Sequence, residues 1–123
     1  MTFKTIVRVV STTLVMLGLT LIVRAHTRLE KTVPADGAML AEAPADIELV
    51  FNEQPDVKLT RIELAGAAGK IETGPARAAT EKSVSVAVVG KMPFGKYSVT
   101  WQTAGDDGHL VKGAFSFSIK QGQ

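Results

Sequence analysis

The sequence predicts an all-β fold in which short antiparallel strands pack face to face as a sandwich. Apolar and polar residues alternate over several short stretches, as they do in a strand that buries one face. Clusters of glycine, proline, asparagine and aspartate separate these stretches and indicate tight turns. Beyond residue 25, no stretch shows the apolar period of an amphipathic helix. Many short strands joined by turns are typical of a β-sandwich.

Six strands are predicted, and five of them present apolar residues on one face. They are expected at residues 26–33, 47–52, 57–64, 83–88, 97–101 and 113–119. Their inward residues are expected to be Leu29, Val33, Ile47, Leu49, Phe51, Val84, Val86, Val88, Tyr97, Val99, Trp101, Phe115, Phe117 and Ile119. In the third strand the apolar phase slips between Leu59 and Ile62, which indicates a β-bulge. Residues 34–37 are expected to form a turn, and residues 65–80, rich in glycine and alanine, a loop.

One segment near the fifth strand indicates which kind of sandwich the chain forms. Met92-x-x-Gly95-x-Tyr97 resembles the tyrosine corner of Ig-like domains. Trp101 is expected to be a core residue, because it shares a face with the apolar residues of its strand. We therefore predict a Greek-key β-sandwich of the Ig-like or cupredoxin-like barrel type. Such folds support many activities, so function has to be argued from particular side chains.

The first 25 residues are predicted to be a secretory signal peptide. Lys4 and Arg8 make a basic start, and an apolar run follows at residues 9–23. Ala25 then ends a stretch that suits signal peptidase. The alternative is a retained membrane anchor, which needs about 20 mainly apolar residues, whereas this run is shorter and carries several hydroxyl side chains. We expect cleavage after Ala25, a periplasmic location and no stable membrane insertion of the mature chain.

The charge of the mature chain argues against several kinds of partner. The whole chain has a formal charge of +2, but three of its cations lie in the predicted signal peptide. Residues 26–123 contain eleven basic and twelve acidic side chains, which leaves a charge of −1. Binding to nucleic acid or to a membrane through a polybasic surface therefore has no support.

The length and the cysteine count restrict the architecture further. A mature chain of about 100 residues suits one domain with one core, here residues 26–123, and we expect it to be a monomer. The sequence contains no cysteine, so it has no disulfide. Thiolate metal sites, including blue-copper centres, are excluded for the same reason.

The two histidines of the sequence, His26 and His109, are candidate metal ligands. Cleavage after Ala25 makes His26 the first residue, whose α-amine and ring Nδ1 can close a six-membered chelate on a metal. Asp107 and His109 lie two residues apart, so their side chains project to the same side of an extended backbone. Gly108 between them lets the backbone bend. Taken alone, Asp107 and His109 are also compatible with half of a catalytic pair or with a solvated turn.

A site that combines His26, Asp107 and His109 offers three nitrogen donors and one oxygen donor. These donors can meet if the first strand begins at the end of the sandwich that holds residues 105–109. A set without sulfur suits tetragonal Cu(II). Zinc can use the same atoms tetrahedrally, but the affinity series places Cu(II) above it. Asp106 is expected to be a solvated turn residue. The alternative is that it accepts a hydrogen bond from a metal ligand without binding the metal itself.

Several motifs extend this pattern over the whole mature chain. They are Ala25-His26, Pro34-Ala-Asp-Gly37, Ala43-Pro44 before Ile47-Glu-Leu-Val-Phe51, Gly95-Lys-Tyr97-Ser-Val-Thr-Trp101, and Asp107-Gly-His109-x-x-x-Gly113-x-Phe115-x-Phe117. The spacing from the tryptophan through Asp-Gly-His to the phenylalanines is the most diagnostic part. Together these motifs resemble the CopC family of periplasmic copper-binding proteins.

The resemblance implies that His26, Asp107 and His109 hold one Cu(II). It implies a protein that sequesters, buffers or delivers copper in copper homeostasis or copper resistance, and not an enzyme. The implied partner, besides the copper ion, is an inner-membrane copper transport protein or another periplasmic copper protein. Family members with a second, Cu(I) site carry a methionine-rich segment with a histidine in the mid-chain loop. Residues 65–82 contain neither, so we expect no Cu(I) site.

Two other classes of function are compatible with parts of the sequence. The first is a copper-dependent oxidative enzyme with a histidine brace, as in lytic polysaccharide monooxygenases. Such an enzyme needs an open coordination position for oxygen, and Asp107 would occupy an equatorial one. The second is a non-metal Ig-like interaction module in which the Asp-Gly-His sequence arises by chance. A hydrolase is not supported, because the serines lie in no nucleophile motif.

Overall fold

The computed structural model describes residues 27–122, which form nine strands in two sheets. The strands are β1 (Leu29–Val33), β2 (Met39–Leu40), β3 (Asp46–Phe51), β4 (Arg61–Gly66), β5 (Gly69–Ile71), β6 (Arg77–Thr80), β7 (Ser83–Ala87), β8 (Gly95–Ala104) and β9 (Leu110–Ile119). One sheet has the order β1-β3-β7-β6 and the other β2-β9-β8-β4-β5. These strands pair antiparallel, except that β2 is parallel to β9. The predicted single-domain β-sandwich is confirmed.

The predicted signal peptide and His26 lie outside the described residues. Within residues 27–122, no helix is long and apolar enough to cross a membrane.

The core lies between the two sheets and consists of the alternating apolar residues of five strands. Its members are Ile47, Leu49, Phe51, Ile62, Leu64, Val84, Val86, Tyr97, Val99, Trp101, Phe115, Phe117 and Ile119. Phe51 and Trp101 meet edge to face with ring centroids 5.4 Å apart. Pairs of this kind contribute about 1 kcal/mol beyond the area they bury. The predicted inward faces of β3, β8 and β9 are confirmed, and Leu29 and Val88 pack partly buried against this core.

The first strand corrects one prediction. Val33 was expected to face inward, but it is 43% exposed. The pairing of β1 with β3 is irregular between Leu29 and Lys31, so Thr32 rather than Val33 lies opposite the buried Leu49. A single irregularity of this kind exchanges the two faces of the strand that follows it.

The segment predicted as one strand from 57 to 64 is a 3-10 turn, Val57–Leu59, followed by β4. The Asp56 carboxylate accepts a hydrogen bond from the N–H of Lys58 at 2.9 Å and caps this turn. The phase slip between Leu59 and Ile62 therefore comes from the turn, and the predicted bulge was wrong.

Residues 65–80 were predicted to be a loop, but they contain β5 and β6. Both strands lie at sheet edges, β5 beside β4 and β6 beside β7. All four residues of β6 are exposed. A strand with no buried face needs no alternation of apolar residues, and for that reason the sequence pattern did not reveal it.

The predicted tyrosine corner is confirmed. The Tyr97 hydroxyl donates a hydrogen bond to the carbonyl oxygen of Pro93 at 2.5 Å, and its ring stacks on Phe117. Burial raises the pKa of Tyr97 above its usual value. The hydroxyl therefore stays protonated at neutral pH and remains able to donate.

We expect Tyr97→Phe to lower the free energy of unfolding by about 1 kcal/mol, because it removes one hydrogen bond and keeps the ring packing. Urea denaturation measures this loss, and Ser98→Ala, at an exposed neighbour, is the control. Since the folded-state pKa is the higher one, the contribution of Tyr97 is present at neutral pH and is lost as the pH rises through the raised value. Equal stabilities of Tyr97→Phe and the parent would contradict this role.

Candidate metal centre

The loop at residues 105–109 joins β8 to β9 at one end of the sandwich. The two strands pair without interruption from Gly95 opposite Ile119 to Ala104 opposite Leu110. The N–H of Gly108 donates to the carbonyl oxygen of Gly105 at 3.0 Å and closes a four-residue turn. Gly108 has a φ of +74°, a conformation that glycine adopts without strain. Side chains on this loop are therefore carried by the end of a long, regular hairpin.

Asp107 and His109 contact each other directly in this loop. One carboxylate oxygen of Asp107 accepts the backbone N–H of His109 at 3.1 Å, and the other lies 3.0 Å from His109 Nδ1. The first contact is the bond of an Asx turn, which fixes the carboxylate beside the imidazole. The His109 side chain is 77% exposed and that of Asp107 only 26%. The structure thus brings an oxygen donor and an accessible nitrogen donor together.

Asp107 and His109 alone do not make a complete set of metal ligands. Among residues 27–122, no three His, Asp or Glu side chains converge so as to hold a metal ion. Met39 and Met92 lie toward the other end of the β8–β9 hairpin, since β2 pairs with the last residues of β9 and Met92 precedes β8. The donors at the loop are therefore nitrogen and oxygen, a combination that suits Cu(II).

Asp106 lies at the tip of the turn and is exposed. That position agrees with the expectation of a solvated turn residue.

A second part of the chain packs against the start of this loop. The Thr27 hydroxyl donates to Glu53 Oε1 at 2.5 Å, and Thr27 is only 7% exposed. A Cβ placed on Gly105 would lie 1.9 Å from Thr27 Oγ1 and 2.0 Å from Glu53 Oε1. Because both separations are far below contact distance, a side chain at position 105 would require the side chains of Thr27 and Glu53 to shift. The residues before β1, the end of β3 and the loop therefore meet at one point.

Arg28, between Thr27 and β1, is fixed through its backbone. Its N–H donates to Asn52 Oδ1 at 2.7 Å, and its carbonyl oxygen accepts from the N–H of Asn52 at 3.0 Å. The β1–β3 pairing continues directly from this point with Leu29 opposite Phe51. The position of the chain is thus defined up to Thr27, the residue that follows His26. The predicted ligand His26 itself falls outside the described residues.

Buried hydroxyl groups hold the end of β8 in place. Thr60 Oγ1 donates to the carbonyl oxygen of Asp56 at 2.7 Å, so it accepts from Thr103 Oγ1, also at 2.7 Å. The N–H of Asp56 donates to the carbonyl oxygen of Ala104 at 2.8 Å. Thr103 and Ala104 are the two residues before Gly105, so the backbone that leads into the loop is held in place.

Sequence reasoning did not identify Thr27 or Glu53 as part of this region. The available signal was a carboxylate at position 53, directly after a half-buried strand. Which other segment that carboxylate meets depends on the pairing of β1 with β3, and a single sequence does not display that pairing.

Comparison with known proteins gives the relationship of the chain. The family model of the CopC domain matches residues 29–120. The chain belongs to the CopC family. This CopC-family protein is 32% identical over 124 residues to copper resistance protein C of Xanthomonas campestris pv. juglandis, covering 92% of this chain and 97% of that relative. It is 31% identical over 99 residues to protein YobA of Escherichia coli (strain K12), covering 78% and 80% of the two chains.

A solved structure agrees with this relationship. PcoC, described as a methionine-rich copper resistance protein from Escherichia coli, superposes with a TM-score of 0.71 at 29% identity. The match covers 78% of this CopC-family protein and 100% of PcoC. The predicted family and fold are confirmed, and the predicted ligand set stays a prediction.

Proposed function

We propose that this CopC-family protein binds one Cu(II) and sequesters, buffers or delivers it in the periplasm. The observation that carries the proposal is the contact between Asp107 and His109 at the end of the β8–β9 hairpin, with Thr27 fixed at the start of the same loop. A carboxylate and an imidazole in contact are two ligands that already share one location.

His26 is the proposed source of the remaining donors. Consecutive Cα atoms of a chain are about 3.8 Å apart, and Thr27 packs directly against Gly105. We therefore expect His26, which is bonded to Thr27, to reach the loop that carries Asp107 and His109. With cleavage after Ala25, it contributes an α-amine and a ring nitrogen, and the complete set has three nitrogens and one oxygen.

The chemistry of this set favours Cu(II) over other ions. Nitrogen and oxygen donors without sulfur suit Cu(II), which also binds most tightly in the divalent series. Relatives named for copper resistance support the same metal. Copper is the cargo in this proposal, the protein has no catalytic role, and an inner-membrane copper transport protein or another periplasmic copper protein exchanges the ion with it.

Native mass spectrometry of the exported protein, with and without Cu(II), tests the proposal. The mass should be that of a chain that begins at His26 with one bound Cu(II). The absorption spectrum of the copper-loaded protein should show only the weak visible band of a centre with nitrogen and oxygen ligands. Reduction should release the copper to a Cu(I) chelator, because Cu(I) selects thioether clusters and residues 65–82 contain no methionine. Retained Cu(I) or a second copper would contradict the single-site assignment. If copper neither binds nor raises the melting temperature, an interaction module is the better interpretation.

A further inference from the structure

We propose that Thr27 is a positioning residue for the metal site and acts through Glu53 and Gly105. We call these three residues the Thr27 clamp. The inference rests on the proposed Cu(II) function and adds to it the means by which the chain aligns its first mature residue with the ligand loop.

The hydrogen bond of the clamp is of a strong kind. An ionised carboxylate can only accept, so the Thr27 hydroxyl is the donor. Its 2.5 Å separation from Glu53 Oε1 lies at the short end of the range for a hydroxyl and a charged acceptor. Thr27 is 7% exposed, which limits competition from water. The bond therefore fixes the side chain of the residue that directly follows the proposed ligand His26.

Gly105 connects this hydrogen bond to the loop at residues 105–109. The two oxygens occupy the space in which a side chain at position 105 would begin. Gly105 is buried and opens the turn that presents Asp107 and His109. The Thr27 clamp thus joins the residue after His26 to the loop that carries Asp107 and His109, rather than to a distant part of the sheet.

The backbone contacts of Arg28 show why the hydroxyl of Thr27 is needed. Asn52 holds Arg28 through two hydrogen bonds, but these lie one residue further from His26. Without the clamp, Thr27 would regain rotational freedom, and metal binding would have to order it together with His26. With the clamp, Thr27 is ordered before the metal arrives, so the loss of freedom on binding is smaller.

A pair of substitutions in the mature protein tests the clamp. Thr27→Val keeps the shape of the side chain and removes the hydroxyl, whereas Thr27→Ser keeps the hydroxyl. We expect Thr27→Val to lower the Cu(II) affinity by about tenfold to a hundredfold, the range for residues that orient metal ligands. Thr27→Ser should bind as the parent does. Competition titration against a Cu(II) chelator measures all three affinities.

A second measurement needs no metal. In the metal-free protein, the backbone ¹⁵N order parameter at position 27 should be near the rigid value of about 0.85 for the parent and for Thr27→Ser. For Thr27→Val it should fall below about 0.6, the value of flexible backbone. Gly105→Ala should produce the same fall, because its Cβ displaces both oxygens of the clamp.

The outcomes separate this proposal from the proposed function. Equal affinity and equal order parameters for Thr27→Val and the parent would overturn the clamp. Equal losses in Thr27→Val and Thr27→Ser would also overturn it, since the hydroxyl would then not be responsible. A parent protein that does not bind Cu(II) would overturn the proposed function, and the order parameters of the metal-free chains would still decide whether Thr27 fixes the start of the chain.

Discussion

A chain that begins at Ala25 should bind Cu(II) at least about a hundredfold more weakly than a chain that begins at His26, which corresponds to about 2.7 kcal/mol. The extra residue converts the α-amine of His26 into an amide and removes the six-membered chelate. The ring of His26 remains, as do Asp107 and His109, so binding should weaken without vanishing. Competition titrations of the two chains at one pH measure the difference.

The metal-free forms of these two chains provide the control. Their thermal unfolding should coincide, because the extension should leave the hydrogen bond between Thr27 and Glu53 unchanged. For the chain that begins at His26, Cu(II) binding should also weaken as the pH falls, since an α-amine has a reference pKa of about 7.7–8.0 and must lose its proton to bind. Equal affinities for the two chains would show that the amine is not a ligand.

Asp107→Ala and His109→Ala should each lower the Cu(II) affinity by about a hundredfold, because each removes one proposed ligand. Asp107→Ala also removes a negative charge and the hydrogen bond to the backbone N–H of His109. The free energy of unfolding should change by less than about 0.5 kcal/mol in His109→Ala, since its side chain is 77% exposed. Calorimetric titration and urea denaturation measure the two quantities.

Asp106→Ala is the matched control for these substitutions. It removes the same charge from the same turn, but its side chain is exposed at the tip, and the contact with His109 belongs to Asp107. We expect Asp106→Ala to bind Cu(II) nearly as the parent does. Equal losses in Asp106→Ala and Asp107→Ala would indicate that the general negative charge of the loop, and not ligation by Asp107, supports binding.

The parts of the fold that could be predicted are the strands that bury one face. Ile47, Leu49 and Phe51 alternate with outward residues in β3, and all three are fully buried. The edge strands β5 and β6 carry no such pattern, because packing places no demand on their side chains. The prediction that Val33 faces inward failed for a different reason. The irregular pairing that turns its side chain outward is a property of two strands and not of one.

The same distinction applies to the candidate site. Asp107 and His109 are two residues apart, so their contact follows from local backbone geometry and could be predicted. Thr27, Glu53 and Gly105 lie far apart in the sequence, and their contact depends on which strands pair. The crowding at position 105 also becomes visible only when the side chains that occupy its Cβ position are known.

The packing of Trp101 gives the protein an optical property. Trp101 is the only tryptophan of the sequence, and its ring is confined between Phe51 and the bare backbone of Gly113, where a Cβ would lie 2.5 Å from the ring. Three residues of β8, a rise of about 10 Å, separate Trp101 from the end of the strand beside the loop. We expect Cu(II) bound at the proposed site to quench the fluorescence of this buried ring, so its emission would measure copper occupancy without any added label.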